Sequence, residues 1–190
     1  MSQENQQPQW ANPGALGLAA FGFSTVLLQI ANLGLITNVV PLVFGFFWGG
    51  VGQVIAGIVD GKRGDTFGMT AFTTYGLFWI ALSSYFIMQW AGWIAAADMA
   101  GLGWMCIIYA VFTGLMTIGT FKMTKTHIFI FASLTILFIL LAGHFIGGWS
   151  GKIPGVEGII CGLSAIYGAV AVVLNNKFGR TVCPMGICKQ

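Results

Sequence analysis

The polar groups of this sequence sit inside its most apolar stretches. Ser24, Thr25, Gln29 and Asn32 share one such run, Thr73, Thr74 and Tyr75 a second, Thr113, Thr117 and Thr120 a third, Ser133 and Thr135 a fourth, and Ser164 and Tyr167 a fifth. Hydroxyls and amides there can replace part of an anion's hydration shell without trapping it, because passage needs binding strong enough to admit a solute and weak enough to release it. Most of these Ser and Thr side chains are expected to bond their own helix backbone instead. Charged residues avoid the middle of every apolar run: Asp60, Lys62, Arg63 and Asp65 fall in one connection, and Asp98 and Glu157 at the far side. A buried carboxylate, the usual device for proton coupling, is therefore expected to be missing.

A second chemical feature is the stretch Asn12-Pro13-Gly14-Ala15-Leu16-Gly17-Leu18, where a polar tail turns apolar. Asn12 suits an N-cap and Pro13 the first helical position, where a missing N–H costs nothing. The unpaired N–H groups and positive dipole end of such a helix favour an anion. Gly14, Gly17 and Gly22 allow close approach of a solute or another backbone, beside the bulk of Phe21 and Phe23. This reads as one wall of an anion path.

The elements that must position these groups are membrane helices. Of the residues, 57% are hydrophobic and 7% charged, with a mean hydropathy of +0.86, far from the soluble average of about a quarter charged. A span needs roughly 20 apolar residues, and six segments qualify: Leu16–Ile36, Val39–Val59, Phe72–Trp93, Leu102–Phe121, Ile128–Trp149 and Val156–Leu174. The expected fold is thus an all-α integral membrane protein, with residues 12–176 forming a six-helix domain between a polar tail (1–11) and a C-terminal tail (177–190). The first tail has no basic run and no cleavage pattern, so the first span is expected to be retained. Trp48-Gly49, Tyr109-Ala110 and Tyr167-Gly168 recur in the even-numbered spans, each followed by basic residues, which suggests three helical hairpins around a central pathway.

Orientation follows from the basic residues. With both termini cytoplasmic, Lys62, Arg63, Lys122, Lys125, Lys177, Arg180 and Lys189 lie inside and Lys152 outside, as the positive-inside rule requires. Trp90, Trp93, Trp104 and Trp149 then mark the outer boundary. The net charge of +3 serves orientation, and nothing supports nucleic-acid binding.

Gly45, Gly49, Gln53, Gly57 and Gly61 recur at every fourth position of the second span, a smooth face suited to helix packing or to assembly. The Gln53 amide there can meet a solute or bond a neighbouring helix. His144, near the outer end of the fifth span, can help an anion enter, sense pH or simply pack. Cys106 and Cys161 lie in spans, and Cys183 and Cys188 have a spacing unlike zinc sites. No catalytic residue, metal site or cofactor is implied.

Several separated motifs resemble those of the acetate uptake (succinate–acetate permease) transporters. Asn12-Pro13-Gly14-Ala15-Leu16-Gly17-Leu18 is similar to the family's Asn-Pro-Ala-Pro-Leu-Gly-Leu signature, with Gly14 and Ala15 departing from it. The likeness continues through Asp65–Gly76, Ser133-Leu134-Thr135 and Ile160–Tyr167 to Phe178–Thr181. The resemblance implies a six-helix protomer, a homo-hexamer, and a separate acetate pathway in each protomer, with its narrowest point at Phe21, Tyr75 and Leu134. Val172 stands where some relatives carry a Glu, which weakens coupling through that position.

Counted from the expected span starts, Phe21, Tyr75 and Leu134 lie five, three and six residues in, about 5 to 9 Å deep at 1.5 Å per residue. They share one layer, with Ser24, Thr25, Thr74 and Thr135 beside it, Asn12 at the mouth, and Gln53 and Tyr167 as further wall candidates. The expected function is transport of acetate and similar small monocarboxylates, with succinate within its reach, across the cytoplasmic membrane, as an anion channel or weakly coupled permease. A channel for a small neutral solute such as water, urea or ammonia is the alternative, and a purely structural membrane protein a third.

Overall fold

The computed structural model describes residues 10–95 and 98–188; Lys189 and most of the N-terminal tail lie outside them. The six expected spans are present as α1 (Gly14–Asn32), α2 (Val39–Arg63), α3 (Thr66–Trp90), α4 (Met99–Thr120), α5 (Lys125–Gly147) and α6 (Lys152–Phe178). Three start earlier than hydropathy suggests because side chains cap them. Asp65, Asp98 and Thr124 accept from the backbone N–H of Gly68, Gly101 and His127, filling donors that a helix start leaves empty. At α1, the Asn12 Oδ1 accepts from Gly14 N at 2.9 Å, but Pro13 rather than Asn12 holds the N-cap position and Gly14 begins the helix. Gly64 and Gly179 end α2 and α6 in the left-handed conformation that only glycine adopts freely.

The helices form a ring in chain order. α1 lies along α6, α2 along α3, and α4 along α5, while α5 and α6 also adjoin. The hairpins are therefore α2–α3 and α4–α5, and the first and last spans close the ring. At that closure Gly22 and Gly162 oppose each other: a Cβ on Gly22 would stand 2.7 Å from the Gly162 carbonyl oxygen. The glycine face of α2 is likewise occupied within the protomer, Gly45 and Gly49 lying on Trp79 and Gly57 on Thr73 of α3. Assembly is thus not what that face serves. Around it, Gly45–Gly52 forms a π-helical segment, a distortion that widens a helix and is frequent at functional sites.

α3 and α4 meet differently. Their backbones stay apart and aromatic rings fill the gap: Phe78 lies 4.8 Å from Tyr109, and Tyr75 lies 5.9 Å from Phe112 and 6.2 Å from Tyr109, centroid to centroid. These are ordinary edge and offset distances for favourable ring pairs. The outside of the ring is hydrocarbon. Ile108, Val111, Leu115 and Ile118 on α4, and Ile153, Val156, Ile160 and Leu163 on α6, form exposed stripes at helical spacing, as lipid-facing surfaces require.

After α6 the chain folds back over the start of α5. Asn175 Oδ1 accepts from the N–H of Val182 and Cys183, and the carbonyls of Gly186 and Met185 accept from Lys125 N at 2.8 Å and Thr126 N at 3.0 Å. The tail thereby supplies acceptors that the first turn of α5 lacks.

Candidate functional site

Three cavities follow one another through the ring. At the end carrying Lys62, Arg63, Lys122 and Lys125, a vestibule of about 200 Å3 is lined by Asn12, Asp60, Arg63 and His127. At the opposite end, a vestibule of about 220 Å3 is lined by Asn32, Asn38 and His144. Between them lies a cavity of only about 40 Å3, bounded by Phe21, Thr25, Gln29, Tyr75, Leu134 and Phe138 among others. The middle cavity shares Leu28, Phe78, Leu82 and Leu141 with the opposite vestibule. Leu18, Ala71 and Phe131 of the basic vestibule stand one turn before Phe21, Tyr75 and Leu134, a rise of about 5 Å.

The throat is apolar and tightly held. Phe21, Tyr75 and Leu134 are each buried. Tyr75 shares a hydrogen bond with Thr113 of α4, Oη to Oγ1 at 2.9 Å, and its ring packs on Phe131 and Phe138. The phenol is thus fixed by a partner rather than free to swing. Thr25 brings a buried hydroxyl with no protein partner, and Gln29 a buried amide that accepts from Asn32 Nδ2 at 2.7 Å. An apolar layer of this kind holds back hydrated ions, while these two groups can offer a shed carboxylate a donor.

The expected layer exists but lies deeper. Phe21, Tyr75 and Leu134 are seven, nine and nine residues from their helix starts, about 10 to 14 Å in, because the caps at Asp65 and Thr124 extend α3 and α5 beyond their apolar windows.

Of the other sequence candidates, Asn12 and Thr25 come to the cavities and the rest do not. Ser24 Oγ is buried against Gly49. Gln53 is buried with its Oε1 unpartnered. The Thr74 carbonyl accepts from Tyr109 Oη, and Thr135 Oγ1 donates to the Phe131 carbonyl, one turn back. Tyr167 sits on the outer face of α6 and donates to the Pro184 carbonyl at 2.7 Å; its place mid-span concealed that it belongs to the tail contact.

Sequence reasoning named Asn12 and His144 for the mouths but passed over Arg63 and His127. Arg63 Nη1 lies 3.2 Å from Asp60 Oδ1 and 3.4 Å from Asn12 Oδ1, so it joins the ends of α1 and α2 while keeping donors for an anion. His127 is held by Thr124 Oγ1, at 2.8 Å from its Nδ1, and the His144 Nδ1 by the Trp149 carbonyl at 2.6 Å. The signal for Arg63 was present: a cation directly before the glycine, Gly64, that reverses the chain onto the next helix.

Glu157 requires a correction. It is not at the outer edge of the last span but is the sixth residue of α6, which begins at Lys152 because Pro154 is tolerated in a first turn. Ser133 Oγ, from the ninth residue of α5, donates to Glu157 Oε1 at 2.5 Å. The other carboxyl oxygen, Oε2, is buried without a protein partner.

The profile described as the GPR1/FUN34/yaaH family matches residues 1–185. The chain is 45% identical over 179 residues to the succinate-acetate/proton symporter SatP of Escherichia coli (strain K12), spanning 93% of this chain and 95% of that protein. An uncharacterized protein of Methanothermobacter thermautotrophicus is 38% identical, across 92% of this chain and 90% of its own length. The solved structure of the bacterial acetate channel SatP superposes with a TM-score of 0.91 at 44% identity, covering 94% of this chain and all 100% of the other.

Proposed function

The chain belongs to the GPR1/FUN34/yaaH family, and from that premise we propose that it carries acetate and similar small monocarboxylates, with succinate within its range, through each protomer. The observation that carries this reading is the apolar throat of Phe21, Tyr75 and Leu134 between two wider vestibules. A methyl group passes such a throat without loss, and the carboxylate exchanges water for the Thr25 hydroxyl and the Gln29 amide. Arg63 and the start of α1 raise the local concentration of anions at one mouth.

The chain resides in the cytoplasmic membrane with both termini and the basic vestibule inside, a reading supported by the clustering of basic residues at one end. Residues 12–176 are its membrane domain, flanked by cytoplasmic tails at 1–11 and 177–190. It works as a homo-hexamer with one pathway per protomer. Acetate moves down its own electrochemical gradient, as channel or weakly coupled permease, without enzymatic chemistry.

Labelled acetate uptake into proteoliposomes tests the reading. Flux driven by an imposed voltage supports it. Passage of urea or ammonia without acetate would overturn it in favour of a neutral-solute pore, and no flux of either would leave a structural protein.

A further inference from the structure

The throat leaves one ionisable group unused. Glu157 lies on the α5–α6 seam, away from the three cavities, with Oε1 held by Ser133 and Oε2 buried without a partner. α6 packs against α1 and α5. α1 contains no ionisable residue. On α5 the ionisable residues are Lys125 and His127 at the basic end and His144 at the opposite end, so Ser133 alone meets Glu157 from that side. On α6 itself, Cys161 is one turn on, and Lys152 begins the helix. No cation faces the carboxyl among the described residues.

An ionised carboxylate in this position has one donor for two oxygens and no counter-charge within the bilayer, which is expensive. The remaining partner of suitable chemistry is a proton. We propose that Glu157 is a proton-binding site, linked to the pathway through Ser133 and Gly158. Ser133 precedes Leu134 of the throat in the chain. Gly158 packs against Gln29 and Leu137, both of which line the middle cavity.

The link has a definite sign. A negative Glu157 repels an anion in the throat, so acetate is favoured when the carboxyl holds its proton. By reciprocity, acetate in the throat strengthens proton binding at Glu157 by the same factor. Acetate movement is thereby made dependent on pH by a group outside the route of the anion. This rests on the acetate reading above.

The test uses the full-length protein in proteoliposomes, with acetate flux driven by a fixed voltage at equal pH on both sides. Over the pH range in which acetate itself stays ionised, the flux should fall as pH rises, on the order of tenfold in all. Glu157→Gln keeps the shape and removes the proton site, so its profile should be flat. Dicyclohexylcarbodiimide, which adds to a protonated carboxyl within the bilayer, gives an independent readout by mass spectrometry. It should label Glu157 less as pH rises and more when acetate is added. Ser133→Ala, which removes the donor favouring the ionised form, should extend labelling to higher pH. A flat profile in the unsubstituted protein, an unchanged profile in Glu157→Gln, or labelling indifferent to acetate overturns the proposal. If the unsubstituted protein carries no acetate at all, the transport reading fails separately, and the pH course of labelling decides whether Glu157 binds a proton.

Discussion

The ring is closed by two unlike seams. Where α1 meets α6, glycine faces glycine and backbone touches backbone; where α3 meets α4, the backbones part and Tyr75, Phe78, Tyr109 and Phe112 fill the space. The first seam can change in no way without moving a helix, because a carbonyl oxygen cannot rotate aside as a side chain can. The second is built of side chains that exchange for others of different volume. A transporter that fixes its scaffold at one seam and sets its aperture at the other can alter selectivity without redesigning its fold.

The harshest way to break this comparison is Gly22→Val. The new side chain meets the Gly162 carbonyl, and overpacking of even a yielding core costs about 1–3 kcal/mol. Here the expected result is loss of monodisperse protein on size exclusion and of all acetate flux together. A well-folded, active Gly22→Val protein would mean that the glycine seam is no tighter than the aromatic one.

Leu134→Ala acts on the aperture. Truncation removes packing worth about 2–5 kcal/mol in soluble cores, but it also opens the layer shared with Phe21 and Tyr75. Flux of lactate relative to acetate should rise, because a wider throat helps most the acid that barely fits. Leu140→Ala, in the same helix but outside the cavity lining, should leave that ratio where it was. Equal ratios in both variants would take Leu134 out of the pathway.

The gentlest change is Tyr75→Phe. It strips the hydroxyl from the 2.9 Å bond to Thr113 and leaves the buried Thr113 hydroxyl without that partner, a cost of about 1–3 kcal/mol. A lower melting temperature with a nearly unchanged lactate-to-acetate ratio is expected, since the ring still fills the seam. A large shift in the ratio would show that the bond, and not the ring, sets the aperture.

Hydropathy made the six spans readable before any coordinates and residue spacing the glycine face of α2, while Phe21, Tyr75 and Leu134 came from the family resemblance. Hydropathy misjudged depth, because a window of apolar residues cannot see that Asp65 or Thr124 starts a helix earlier than the hydrocarbon does. The same blindness put Glu157 at the outer edge of the last span: the polar residues and Pro154 before it mask a helix already under way. Tyr167 was misread for the opposite reason. Its position is mid-span, but its rotational setting on α6 turns it outward, and rotation depends on which neighbours a helix finds. The mouths, lined by Arg63, His127 and Asn38 among others, draw residues from three places distant in sequence, and only tertiary structure brings those together.

The pairing of α1 with α6 also dictates when the protein can be finished. The first span to leave the ribosome has as its principal partner the last, so Gly22 waits for Gly162 through the synthesis of the four helices between them. Until then α1 must be kept in the bilayer with its glycine face unmatched, either by lipid or by the insertion machinery. Contacts of such separation are slow to form. The fold-back of Met185 and Gly186 onto α5 comes later still, so a nascent chain halted before α6 is made holds an open crescent.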